Sequence, residues 1–317
     1  LLFIGYLSFQ LSPYPSLWVT RYVFNKEANK ANKLLEAFVP DKIESKLNIQ
    51  YDVSDNDAFL DVYYHKDSVK LGRKLPVIVW THGGGLISGN KSQLSNYCKM
   101  LAGYGYVSIS VDYTVAPKKQ YPTPLRQLNH ALKFITENAA TFHIDSSSII
   151  LAGDSGGSMV SAQVANIITN RNYAELVNIN PGVAPHQLKG LLLYCGIYDV
   201  NNLNSEGKFG SFLEMVKWAY FGKEDISKDE YAKSATVTDY LTSNFPPAFI
   251  SAGNADPLLA QSHLLVKKLS AYNVYIDTLF YANNHYPALK HEYQFTYNEA
   301  GKVALKRSLK FAQFVLQ

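Results

Sequence analysis

Residues 148–169, SIILAGDSGGSMVSAQVANIIT, decide how this chain folds. The first six run apolar into glycine, as a strand covered on both faces does, and residues 156–169 have the length and apolar content of a buried helix. Gly153-Asp154-Ser155-Gly156-Gly157 leaves no room between them for a loop. The chain must pass from strand to helix through a very tight turn, which lifts the Ser155 hydroxyl clear of the backbone while the glycines make room where a Cβ would clash. Ser155 also falls at the positive end of the helix, where a developing oxyanion is stabilised. A serine between glycines can simply cap a helix; the strand before it and the helix after it favour a nucleophile.

The same grammar extends outward from that turn. PVIVW (76–80) and VSISVDY (107–113) are apolar at nearly every position, and GLLLYCG (190–196), AFISAG (248–253) and VYIDTLFY (274–281) follow as further strands. Helical stretches at 92–102, 124–138, 156–169, 258–271 and 299–316 alternate with them. IQYDV (49–53) and FLDVYY (59–64) lie too close together to hold a crossover helix and read as an antiparallel pair. The whole is an α/β chain built on a doubly wound, mostly parallel sheet. Residues 201–245 break the alternation with polar, aromatic-rich sequence and no strong strand. They are too long for a plain connection, and an insertion at the carboxyl ends of the strands is expected to fold as helices over the site, as part of a cap.

The chain of 317 residues is large enough for a substantial core, and 47% hydrophobic with 18% charged residues excludes disorder. A net charge of +4 carries no basic block, so no nucleic-acid partner is expected. Two cysteines, Cys98 and Cys195, exclude a disulfide scaffold and CxxC chemistry. The apolar run LLFIGYLSFQL at 1–11 is too short to span a bilayer. It leaves two readings for the N-terminal segment 1–45: a helical contribution to the cap, including an amphipathic helix at 25–38, or the tail of a membrane anchor. Location is accordingly either cytoplasmic or at a membrane, held by a segment upstream of Leu1. The remaining residues, 46–317, are expected to form one α/β domain that carries the 201–245 insertion. The sequence leaves the oligomeric state open.

A second element of chemistry is His82-Gly83-Gly84-Gly85, directly after the strand PVIVW. Consecutive glycines let backbone N–H groups point into a cavity, so Gly84 and Gly85, with the N–H of Gly156, are the candidate oxyanion donors. His82 and Gly83 are expected to shape that loop. A serine nucleophile on this fold needs an acid and then a histidine further along the chain. Asp256, just past the strand 248–253, is favoured as the acid over Asp199. For the base His291 is favoured over His285, which lies in the loop ANNHYPALKH. GGLISGNK (84–91) has Asn90 where a nucleotide-binding loop needs lysine, His291-Glu292 lacks a second histidine four residues on, and no cluster has metal-ligand spacing. No cofactor or metal is expected.

From about residue 76 to the end, the chain resembles the hormone-sensitive-lipase-like α/β hydrolases, which include bacterial acetyl esterases and carboxylesterases. The resemblance rests on HGGG (82–85), VDYTVAP (111–117) with Tyr121-Pro122, GDSGG (153–157), FPPAFISAGNADPL (245–258) and HEYQF (291–295), in that order. It implies an α/β-hydrolase fold with a helical cap made from the N-terminal segment and the 201–245 insertion. It carries the triad onto Ser155, Asp256 and His291, the oxyanion donors onto Gly84 and Gly85, and implies a serine carboxylesterase acting on short-chain, acetyl-like esters. Two departures stand out: GDSGGS replaces the commoner GDSAGG, and the loop before His291 is about five residues longer than usual. An amidase or peptidase with the same triad, and a non-catalytic ligand-binding protein on the same scaffold, are the competing expectations.

Overall fold

The computed structural model describes Ser12, residues 14–203 and residues 206–317; the expectations for residues 1–11 lie outside these. Eight strands form one sheet in the order β1-β2-β4-β3-β5-β6-β7-β8. They are β1 (Ile43–Gln50), β2 (Phe59–His65), β3 (Leu75–Thr81), β4 (Val107–Val111), β5 (Ile144–Asp154), β6 (Leu188–Tyr194), β7 (Ala248–Ser251) and β8 (Ile276–Leu279). β1 pairs antiparallel with β2 and β2 antiparallel with β4, and every later pairing is parallel.

Strand alternation sorts the apolar residues into two cores, one on each face of the sheet. Val77, Val79, Ile149, Leu151, Leu191 and Leu193 belong to one. Ile78, Trp80, Ile150, Ala152, Leu192 and Tyr194 belong to the other. Helices α3 (Thr123–Glu137), α4 (Gly156–Thr169) and α8 (Leu259–Ala271) contribute to the first core, and α2 (Ser95–Gly103) and α9 (Glu299–Val315) to the second. Covering both faces is what makes the central strands continuous apolar runs.

Differences from the sequence reading sit at the margins. β1 starts and ends earlier than 49–53. It is a half-exposed edge strand, and its register shifts between Lys46 and Ile49, where Asn48 takes a left-handed φ of 56° and donates its N–H to Asp61 at 2.7 Å. The N-terminal helix α1 runs over Tyr14–Leu35, followed by a 3-10 turn at Glu36–Phe38, rather than over 25–38. Its inward residues Leu17, Phe24, Ala28, Ala31 and Leu35 keep helical spacing back through the aromatic stretch that precedes the polar one. Within 201–245 lie α6 (Gly207–Phe221), the short α7 (Glu230–Lys233) and a 3-10 turn at Val237–Asp239. No helix of the described residues is long and apolar enough to cross a membrane.

Candidate active site

Ser155 stands between β5 and α4 with φ 50° and ψ −120°, a conformation that costs free energy for any residue with a Cβ. Its neighbours explain why the turn can be so tight. A Cβ at Gly153 would lie 2.5 Å from the carbonyl carbon of Gly157, and one at Gly157 would run into the carbonyls of Thr81 and His82 at the end of β3. The turn is tied to the sheet by the Ser155 N–H, which donates to Tyr194 O at 2.9 Å, and by Ser158 Oγ, which donates to Gly153 O at 2.6 Å.

The glycine loop after β3 packs against this turn. Gly84 and Gly85 have φ of 91° and 62°, accessible to glycine at little cost. The Gly84 carbonyl accepts from Ser88 N at 3.0 Å and Ser88 Oγ at 2.8 Å, which curls the loop so that it passes Gly156; a Cβ at Gly156 would be 3.0 Å from Leu86 N. His82 is 2% exposed, and its ring stacks on Tyr113 at 4.2 Å. His82 Nδ1 lies 2.9 Å from Gly83 O; a carbonyl can only accept, so Nδ1 carries the proton. Burial pushes the His82 pKa down to about 4, which keeps the ring neutral.

His291 follows the long loop after β8, and its Nδ1 lies 2.9 Å from Asp256 Oδ2. Asp256 Oδ1 accepts the N–H of Leu258 at 2.8 Å, and its side chain is wholly buried. With Nδ1–H committed to the carboxylate, Nε2 is left with a lone pair. Burial opposes protonation of His291, while Cys195, Asp256 and Glu292 favour it, and the net direction is well upward.

The rival residues lie elsewhere. Asp199 accepts from Asn201 N, Asn202 N and Asn202 Nδ2 and so closes its own turn. His285 packs on Tyr281 at 4.6 Å and does not line the cavity. Sequence reasoning gave no role at the site to Cys195, Asp154 or Glu292, although Asp154 lies within GDSGG and Glu292 within HEYQF. Cys195, Asp256 and His291 offer ligand atoms within 4.8 Å of one another, the one such grouping among the described residues. The imidazole and carboxylate are already bonded to each other, so the grouping reads as a hydrogen-bonded cluster.

Ser155, His291 and the glycine loop open onto one cavity of about 480 Å³. Its walls are mainly apolar. α1 contributes Phe24, Ala28 and Leu35, and α6 contributes Phe209, Phe212 and Val216, with Phe24 and Phe212 in ring contact at 5.5 Å. Helix α1 also grips the loop: Arg21 Nε donates to Ile87 O at 2.6 Å, Arg21 Nη2 donates to Ala116 O at 2.7 Å, and Asn25 Oδ1 accepts the Gly89 N–H at 3.0 Å. No direct hydrogen bond joins the Ser155 hydroxyl to the His291 ring, whose Nδ1 is bonded to Asp256.

A model of the BD-FAE family matches residues 60–269, about two thirds of the chain. The fold is similar to that of esterase B from Lactobacillus rhamnosis, with a TM-score of 0.79, 19% identity and 95% of each chain covered. A second structure of that enzyme, inhibited by a tributyrin phosphonate, aligns with a TM-score of 0.78 and 19% identity over 95% of this chain and 96% of that one. A thermostable carboxylesterase cloned from a metagenomic library aligns with a TM-score of 0.74 and 22% identity over 94% of this chain and 98% of that one. At these identities the likeness speaks for the fold, an α/β hydrolase.

Proposed function

The chain belongs to the BD-FAE family, and from that premise we propose that it is a serine carboxylesterase that hydrolyses short-chain, acetyl-like esters through an acyl-enzyme. The observation that carries this reading is the pairing of a strained, cavity-facing Ser155 with a histidine already oriented by a buried carboxylate. In the reaction Ser155 Oγ attacks the ester carbonyl carbon as His291 Nε2 takes the hydroxyl proton. Asp256 holds the ring and stabilises the imidazolium that forms. The backbone N–H groups of Gly84, Gly85 and Gly156 receive the negative charge on the carbonyl oxygen. His291 returns the proton to the departing alcohol, and a water activated by the same nitrogen releases the acid.

The open hydroxyl-to-imidazole contact agrees with this cycle, since such contacts often tighten only when substrate is bound. The apolar walls contributed by α1 and α6 act, in this reading, as the cap that excludes bulk water. Inhibition of esterase B by a tributyrin phosphonate supports a short acyl chain for this protein too.

The test is hydrolysis of p-nitrophenyl acetate, butyrate and octanoate by the wild type and by Ser155→Ala, His291→Ala and His285→Ala. Wild-type turnover that falls from acetate to octanoate, is abolished in the first two variants and persists in His285→Ala is the expected result. A folded wild type inactive on all three esters sinks the proposal, and anilide substrates then test for an amidase.

A further inference from the structure

Two carboxyl groups that the triad does not use meet beside it. Asp154, the residue before Ser155, is 2% exposed, and its Oδ1 accepts Trp80 Nε1–H at 2.7 Å. Glu292, the residue after His291, adopts a left-handed φ of 58°, and its Oε1 lies 3.9 Å from His291 Nε2. The two carboxyl groups lie side by side at Gly83, where a Cβ would collide with both Asp154 Oδ2 and Glu292 Oε1. The nucleophile turn, the glycine loop and the histidine loop therefore converge on one point.

A carboxyl–carboxyl hydrogen bond needs a proton, since two carboxylates in contact only repel. We propose that Asp154 and Glu292 share one proton as a carboxylic acid–carboxylate pair, and that this pair is a positioning element holding His291 in register with the glycine loop. The proposal rests on the reading of Ser155 and His291 as nucleophile and base. Burial, followed by the charge of Glu292, holds the Asp154 carboxyl well above the usual carboxylate range, against the pull of the Trp80 N–H donor.

The other titratable groups around the pair do not compete with it near neutrality. Burial pushes Tyr113 well above its ordinary value, Cys98 up to about 12 and Cys195 up to about 11, and holds His82 neutral. His291 is the one remaining partner. With one proton in the pair, a single negative charge lies beside the imidazole and favours the imidazolium formed during attack. Loss of that proton at alkaline pH puts two anions together. They repel, and the glycine loop and histidine loop lose their common anchor.

The experiment is the pH profile of kcat/KM for p-nitrophenyl acetate in the wild type, Glu292→Gln and Glu292→Ala, with Ser155→Ala as control and thermal melting of each variant. Gln keeps an N–H donor toward Asp154 but cannot ionise. The wild type should lose rate at the alkaline end, and Glu292→Gln should lack that loss. Glu292→Ala should lower kcat by about tenfold or more through misplacement of the base, and Gln should recover most of it. In parallel, a carboxylic acid C=O infrared band should persist in the wild type at pH 7 and vanish in Glu292→Gln. The infrared readout does not depend on turnover, so it separates the pair from the esterase reading. Absence of that band, an unchanged alkaline limb in Glu292→Gln, or a kcat within twofold of wild type in Glu292→Ala overturns the proposal. Equal rates in wild type and Ser155→Ala overturn the esterase reading instead.

Discussion

Arg21 Nε donates to the carbonyl of Ile87 at 2.6 Å, so a residue of the N-terminal helix holds the outer edge of the glycine loop. The same guanidinium reaches Ala116 O at 2.7 Å, bridging two loops that follow neighbouring strands of the sheet. Hydrogen bonds from a charged group contribute about 1.5–3 kcal/mol each. Arg21→Ala should therefore lower kcat/KM for p-nitrophenyl acetate by roughly ten- to a hundredfold. Arg21→Lys should rescue little, because a single ammonium cannot reproduce the fork. A variant with wild-type kinetics would show that the loop holds itself.

Two glycine substitutions separate close approach from backbone freedom. A methyl at Gly157 has the backbone carbonyls of Thr81 and His82 in its way, and neither can swing aside. Gly105 has φ 89° and open space around it. Gly105→Ala should cost about 1 kcal/mol, in line with placing a Cβ in a left-handed conformation. Gly157→Ala should cost more than about 3 kcal/mol, through overpacking against backbone. Urea midpoints of the two variants against wild type decide this, and equal losses would refute it.

The acid side of the rate profile reports on His291. The net upward direction of its pKa means that the free base is lost, and kcat/KM falls about tenfold per pH unit, below a midpoint that lies above 6.5. Asp256→Asn should move that midpoint down and slow turnover by about ten-thousandfold. A midpoint below 6.5 in the wild type would contradict the geometry.

His82 and Asp112 give stability opposite slopes over one pH range. His82 Nε2 lies 4.0 Å from Asp112 Oδ1. Burial lowers the histidine from 6.5 to about 4, so its stability is present above pH 6.5 and lost as pH falls to about 4. Burial raises the aspartate from 3.8 to about 6, so its stability is present below pH 3.8 and lost as pH rises through about 6. Each amounts to about 3 kcal/mol. The two largely cancel between pH 4 and 6. Asp112→Asn should uncover the histidine slope, with an unfolding free energy that drops by about 3 kcal/mol more than wild type from pH 6.5 to pH 4. Parallel pH dependences in the two proteins would rule this out.

What could be read from the sequence is what nearest neighbours encode. The turn at Ser155, the glycine run at 83–85 and the central strands each declare themselves within a dozen residues, because sterics and two-sided burial act locally. β1 did not, since an edge strand with a bulge loses its alternation at Asn48. The short helix α5 (Arg171–Leu176) is one turn and a half and leaves no periodic trace. Arg21 and Ile87, or Asp154 and Glu292, are distant in the chain and meet only when the sheet is wound. Glu292 shows the limit well: in the sequence it only completes half of a metal motif, and in the fold it meets Asp154, the residue before Ser155.

Helix α1 lines the cavity with Phe24, Ala28 and Leu35 and anchors the glycine loop through Arg21 and Asn25. Selectivity and turnover are thereby written on one face of a single rod, since Arg21, Asn25 and Ala28 follow at helical spacing and Asn25 lines the cavity as well. In the proposed mechanism, a substitution that widens the acyl site by tilting the rod also displaces the glycine N–H groups assigned to the oxyanion. Remodelling the substrate range of this protein is therefore better begun at Phe209 of α6, which faces the same cavity and, unlike Phe212 and Val216, does not stand beside Gly85.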